Sequence, residues 1–146
     1  MNPGERFTTR GRTVTEADVL AFAGLTGDFH PQHVDAEWAS GSIFGERIAH
    51  GLLVLGLAAG LVPFDPERVL ALRRVRDAVF KRPVALGDTI HVEGEVGTVG
   101  ASGLTSVTLR VLAGGQLVAR IVIDVLWDGS ASASEEPELE AGCVPL

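Results

Sequence analysis

The sequence predicts an α+β domain in which an antiparallel sheet holds one long apolar helix. Three observations carry that expectation. Residues 51–61 (GLLVLGLAAGL) are apolar at every position, as in a helix with no solvent-facing side. Beyond Pro66 the hydrophobic period switches from 3.6 to 2. Short glycine-containing turns join the strand-like segments there, which favours antiparallel neighbours over parallel crossovers.

Each element has a local reason. Residues 5–12 scatter β-formers and predict a short first strand. Thr15 suits an N-cap, with Asp18 three residues on as a capping-box partner. Val19, Leu20, Phe22, Ala23 and Leu25 then give a helix its apolar face, and Gly27 closes it. Asp28 to His33 is expected to be irregular, because Pro31 disfavours helix through the residues before it. Asp35 can cap a short turn through Trp38 and Ala39. The helix of residues 51–61 ends at Pro63 and Pro66. Strands are expected over 69–75, 78–84, 89–96, 104–112 and 116–127, with a two-residue hairpin at Gly114-Gly115.

Length and composition bound the class. A chain of 146 residues is expected to form a single domain, here over residues 1–127. Residues 128–146 are acidic and low in complexity, and predict a disordered tail. The formal charge of −7 comes largely from that tail, since residues 1–127 hold fourteen acids against twelve bases. No basic stripe interleaves with aromatics, so nucleic acid is not an expected partner. The fourteen uncharged residues from Gly51 to Phe64 suit a buried helix better than a bilayer span. The N-terminal MNPGERFTTR lacks a signal-like apolar stretch, and Cys143 is the only cysteine. A cytoplasmic protein without disulfides or membrane association is the expectation.

Chemistry-bearing residues crowd into residues 22–52, which hold three of the four histidines. Asp28 and His33 flank Pro31 in a non-helical turn. A carboxylate and an imidazole so placed can share one water for acid–base work. The same residues also read as helix-end and loop residues, and spacing alone leaves both readings open. His50-Gly51 opens the apolar helix, whose first N–H groups lack internal partners and sit at the positive end of its dipole. A carbonyl oxygen that gains charge would be stabilised there, although His50 can equally be a local cap. His30, His33, His50, Asp28 and Asp35 are candidate metal ligands, but they match no standard zinc spacing such as HExxH, so no metal is expected. Arg47, Arg73, Arg74, Arg76, Lys81 and Arg82 could meet phosphates, with most of them expected on solvated strand faces.

GDFHPQH followed by IAHGLL resembles the MaoC-like dehydratase family, whose members include (R)-specific enoyl-CoA hydratases. The family pattern runs from an aromatic and a small residue into G-D-x-N-P-x-H, and Phe22, Gly27, Asp28, Pro31 and His33 fall in place. The segment FKRPVALGDTI (residues 80–90) resembles the family's strand–turn–strand after the helix. The likeness runs over residues 5–127. It implies a hot-dog fold, a curved antiparallel sheet wrapped around one buried helix, in a homodimer or higher homo-oligomer with an acyl-CoA site near the subunit interface. It also implies reversible hydration of a trans-2-enoyl-CoA to a 3-hydroxyacyl-CoA of R configuration. Asp28 and His33 would orient the water, and the Gly51 N–H would polarise the thioester carbonyl. His30, Pro31, His50 and Leu52 would support the site or the substrate, and no metal or redox cofactor is required.

Two positions depart from the family pattern. The motif's asparagine is His30, and a helix position where some hydratases carry serine is Ala59. Three other readings remain to be weighed. A hot-dog thioesterase would use a carboxylate to send water against the thioester carbon. A non-catalytic acyl-binding or partner subunit would not need Asp28 and His33 together. A metal-binding protein would use the same acids and histidines.

Overall fold

A computed structural model describes residues 2–128; the expected tail therefore lies, from residue 129 on, outside the described residues. The chain runs β1 (Arg6–Thr8), β2 (Arg12–Thr13), α1 (Glu16–Thr26), α2 (Pro31–Val34), α3 (Ala36–Ser40), α4 (Gly51–Leu61), β3 (Val69–Phe80), β4 (Thr89–Val99), β5 (Leu104–Ala113) and β6 (Gln116–Trp127). The strands form one antiparallel sheet in the order β1-β4-β5-β6-β3, with β2 also paired to β4. Leu53, Val54 and Ala58 of α4 pack into a core with Ile90, Val92, Leu109, Ile121 and Ile123 of the sheet. This is the hot-dog arrangement that the sequence motifs imply.

Local chemistry sets the helix ends. The Thr15 hydroxyl accepts the Asp18 N–H at 3.1 Å, and the Asp18 carboxylate accepts the Thr15 N–H at 2.8 Å. That reciprocal box satisfies two N–H groups that the first turn leaves over. The α1 helix stops at Gly27, whose φ of 80° is left-handed and whose N–H donates to the Ala23 carbonyl. Gly114 and Gly115, at φ 56° and 77°, form the β5–β6 turn; both central residues need positive φ in a hairpin of this twist.

The structure differs from expectation at four places. The first strand is two short ones, β1 and β2, separated by residues 9–11. Segment 28–33 is only partly irregular, because Pro31 begins α2, where its missing N–H costs nothing. The strands expected at 69–75 and 78–84 are one, β3, which ends at Phe80. Register shifts between Val69 and Ala71, Leu72 and Arg74, and Val75 and Asp77 break its alternation, so the pattern reads as two segments. Finally, α4 is not enclosed on every side. Leu52, Gly56 and Gly60 are exposed along one of its faces.

Beta3 carries a related opening. Leu72, Val75 and Phe80 lie opposite Val125, Ile123 and Ala119, so they share the core side of the sheet, yet each remains about half exposed. Beta3 ends the sheet, and its far edge has no strand beside it among the described residues.

The cap yields a test. Arg12 donates to the Asp18 carboxylate at 2.7 Å, and this hydrogen bond, with the Thr15 N–H, holds the Asp18 pKa below the ordinary aspartate value. A lowered folded-state pKa means that the native chain binds fewer protons than the unfolded one. The contribution is therefore present above the ordinary aspartate value and fades as pH falls toward the lowered one. Thr15→Ala should lose about 1 kcal/mol at neutral pH. Asp18→Asn should be less stable than the parent at pH 7, with the deficit shrinking as pH falls below the ordinary aspartate value, as read by denaturant midpoints.

Candidate active site

The site forms where the loop after α1 meets the start of α4. Asp28 follows the Gly27 cap, and its carboxylate accepts the His30 N–H at 3.2 Å. That Asx turn orients the chain into α2. The His30 ring accepts the Gln32 N–H at 3.1 Å as the α2 cap. His33 sits in the last turn of α2. Its ring Nδ1 donates to the Ile48 carbonyl at 2.7 Å, which leaves Nε2 as the nitrogen with a free lone pair. Arg47 fixes the other side of this residue. Its Nε donates to the His33 carbonyl at 2.7 Å, while the guanidinium pairs with Glu16 of α1 at 2.6 Å.

His50 ties these parts to α4. It is 3% exposed, stacks on the His33 ring at 3.8 Å between centroids, and lies 4.9 Å from the Phe22 ring. Its Nε2 donates to the Asp28 main-chain carbonyl at 2.9 Å. An imidazole that donates from Nε2 to a carbonyl carries its lone pair at Nδ1, and that atom is buried without a partner. A carboxylate oxygen of Asp28 and one ring nitrogen from each of His33 and His50 all lie within 4.8 Å of one another. No hydrogen bond joins Asp28 directly to His33 among the described residues.

Gly51 is the first residue of α4, and His50 makes no side-chain cap bond there. The Phe80 ring lies against Gly51: a Cβ at that position would meet Phe80 Cε2 at 3.0 Å. An open cleft of about 320 Å³ runs past this point, lined by His33, Phe44, Gly51, Val54, Phe80 and neighbours from segments 48–49, 81–84 and Val118. The backbone ties these segments together. Ala49 N–H donates to Val84 O at 2.8 Å, and Ile48 bridges Ala85.

The structure thus gathers Asp28, His33, His50 and Gly51. It places the other expected residues differently. His30 and Pro31 shape the start of α2, and His30 also stands edge-on to Trp38 at 5.4 Å; neither lines the cleft. Leu52 is 65% exposed on the open face of α4, whereas Gly51 and Val54 line the cleft. Arg47 is held by Glu16 and the His33 carbonyl, and Arg74 and Arg76 pair with Asp124, so these arginines are already engaged. Sequence reasoning missed Phe44, Ile48 and Phe80 as cleft residues. Ile48 and residues 80–84 carried a signal, as parts of the IAHGLL and FKRPVALGDTI segments, whereas Phe44 carried none.

Comparison with known proteins gives a consistent picture. A family model described as a MaoC-like domain matches residues 1–114. The protein MaoC of Klebsiella aerogenes is 43% identical over 93 residues, 63% of this chain and 28% of that one. An (R)-specific enoyl-CoA hydratase of Rhodospirillum rubrum is 35% identical over 79 residues, 54% of this chain and 55% of that one. The chain therefore spans about half the length, or less, of these curated relatives. Among solved structures, a monoamine oxidase regulatory protein from Archaeoglobus fulgius superposes with a TM-score of 0.80 at 35% identity, covering 89% of this chain and 93% of that one. R-hydratase PhaJ1 from Pseudomonas aeruginosa superposes at 0.77 and 27% identity, covering 97% and 94%.

The His50 link can be tested by choice of replacement. His50→Gln can keep a donor near the Nε2 position, whereas His50→Phe keeps a ring but leaves the Asp28 carbonyl unpaired. The Phe variant should be less stable than the Gln variant by about 1–2 kcal/mol in chemical denaturation. Equal stability of the two would show that the hydrogen bond carries no weight.

Proposed function

Because the chain belongs to the MaoC-like dehydratase family, we propose that it catalyses reversible hydration of a trans-2-enoyl-CoA to a 3-hydroxyacyl-CoA. The observation that best supports this reading is the separation of Asp28 and His33. Their polar atoms lie within 4.8 Å without bonding to each other, and one water about 2.8 Å from each fits between them. His33 Nε2 faces the reaction as an acceptor, since Nδ1 is committed to Ile48. In the hydration direction the pair takes a proton from the water as its oxygen adds to Cβ. A proton then returns to Cα, so one water supplies both groups. The Gly51 N–H at the positive end of α4 receives the thioester oxygen as it gains negative charge. Phe44, Val54, Val84 and Val118 offer the acyl group an apolar wall.

No metal or redox cofactor takes part in this reading. Asp28, His33 and His50 are near enough together to ligate an ion, but the Nε2 of His50 is engaged by the Asp28 carbonyl, and its Nδ1 is buried. A metal bound through that Nε2 would have to break the link. We also propose a homodimer or higher homo-oligomer as the working form. A second copy would cover the half-exposed Leu72, Val75 and Phe80 of β3 and the open Leu52–Gly56–Gly60 face of α4. No helix among the described residues is long and apolar enough to cross a membrane.

The decisive assay incubates the protein with crotonyl-CoA and follows enoyl absorbance and free thiol together. Absorbance should fall without thiol release, and chiral analysis should give the R product. Thiol release would instead identify a thioesterase, and silence in both channels would count against this substrate. Prior treatment with a chelator should leave the rate within about twofold; a lasting loss restored by one divalent ion would replace the metal-free mechanism. Val75→Asp should lower the sedimentation mass from oligomer to monomer, and an unchanged mass would remove β3 from the interface.

A further inference from the structure

Two cations stand in the cleft without a role in the proposed chemistry. Lys81 and Arg82 follow β3 and line the same cleft as His33 and Gly51. Their backbone N–H groups both donate to the Val118 carbonyl, at 2.8 and 3.2 Å, which pins this short segment to β6. Both side chains are exposed. Of the twelve Lys and Arg side chains, only Arg10, Arg73, Lys81 and Arg82 form no ion pair among the described residues. Elsewhere on the sheet the arginines other than Arg73 are paired, Arg6 with Glu95, Arg12 with Asp18, Arg74 and Arg76 with buried Asp124, Arg110 with Glu93 and Arg120 with Asp77. The cleft lining holds no Asp or Glu to offset Lys81 and Arg82. A chain of net charge −7 thus keeps an uncompensated positive pair beside its apolar cleft, where low-dielectric walls focus the field.

We infer that Lys81 and Arg82 recognise the phosphates of a coenzyme A thioester whose acyl end is seated at Gly51. The inference rests on the hydratase reading for the position of the thioester. A guanidinium grips phosphate oxygens in pairs and an ammonium adds a mobile point charge, so adjacent Arg and Lys suit a diphosphate. A protein carrier of the acyl group would call for cations spread over a broader surface. The other two unpaired ones, Arg10 and Arg73, do not line the cleft.

The test compares the full-length parent with Lys81→Ala/Arg82→Ala and with the charge-preserving Lys81→Arg/Arg82→Lys. The same enoyl group is presented on CoA and on N-acetylcysteamine, which keeps the sulfur and the first amide but has no phosphate. The alanine variant should raise KM for the CoA thioester about tenfold or more, as expected for lost charge-assisted bonds. The loss should be confined to that thioester, with the N-acetylcysteamine KM moving less than about twofold. The charge-preserving variant should retain most of the preference for CoA, and added salt should raise the parent's KM for CoA alone. Equal changes on both thioesters, or no change on CoA, would overturn the assignment.

Calorimetric titration with free CoA decides the point without turnover. If the parent hydrates neither thioester, the hydratase reading fails, while CoA binding that vanishes in the alanine variant still supports the phosphate site. Binding that persists in the variant, or is absent from the parent, overturns it. A defect seen only with an enoyl group on acyl carrier protein would also overturn it, in favour of the protein carrier.

Discussion

The hydrogen bond from the His50 ring to the Asp28 carbonyl holds the site together. It joins the loop after α1 to the residue before the central helix, alongside the His33–Ile48 and Arg47–His33 hydrogen bonds. His50 is the residue immediately before α4, so whatever fixes its ring fixes the helix start as well. The ring is packed between Phe22 of α1 and His33 of α2. One buried imidazole thus sets the distance between the Asp28–His33 pair and the Gly51 N–H. A reaction that needs a water on one side and an oxyanion donor on the other depends on that distance. The cost is a buried Nδ1 without a partner, which leaves the site with a polar atom that the fold alone does not satisfy.

The sheet supplies the rest of the frame. Ala49 and Ile48 bond to the segment after β3, which ties the approach to α4 to the cleft wall. Arg47, Glu16 and the His33 carbonyl add a second tie to α1. The order β1-β4-β5-β6-β3 leaves β3 at the edge beside the cleft. Its core-side Leu72, Val75 and Phe80 are only partly covered within one chain, and Phe80 is also the ring that lies over Gly51. The same strand therefore bears on both the cleft and the apolar surface that a second copy would cover.

Much of this was legible in the sequence, for physical reasons that differ by element. The α1 caps were readable because Thr15, Asp18 and Gly27 act on their own neighbours, and local chemistry has few solutions. The hairpin at Gly114-Gly115 was readable for the same reason. Apolarity of residues 51–61 identified the central helix but overstated its burial. Composition cannot distinguish a face covered by the same chain from one left open, as at Leu52, Gly56 and Gly60. Bulges hid the continuity of β3, because each shift in register inverts which residues face inward. The motif brought out Asp28, His33 and Gly51 together, but His30, Pro31 and Leu52 do not line the cleft. The reverse held for Phe44, Ile48 and Phe80, which come to the cleft through pairings of distant segments that no spacing rule encodes.

The most direct measurement is a double-mutant cycle on turnover with Asp28→Asn, His33→Ala and the pair, each checked for parental stability. If both residues act on one water, each single change lowers kcat by about 10²–10⁴, and the double variant is little slower than the worse single. Losses that multiply would mean that the two residues work independently. Activity within a few-fold of the parent in either single variant would contradict the shared-water mechanism outright.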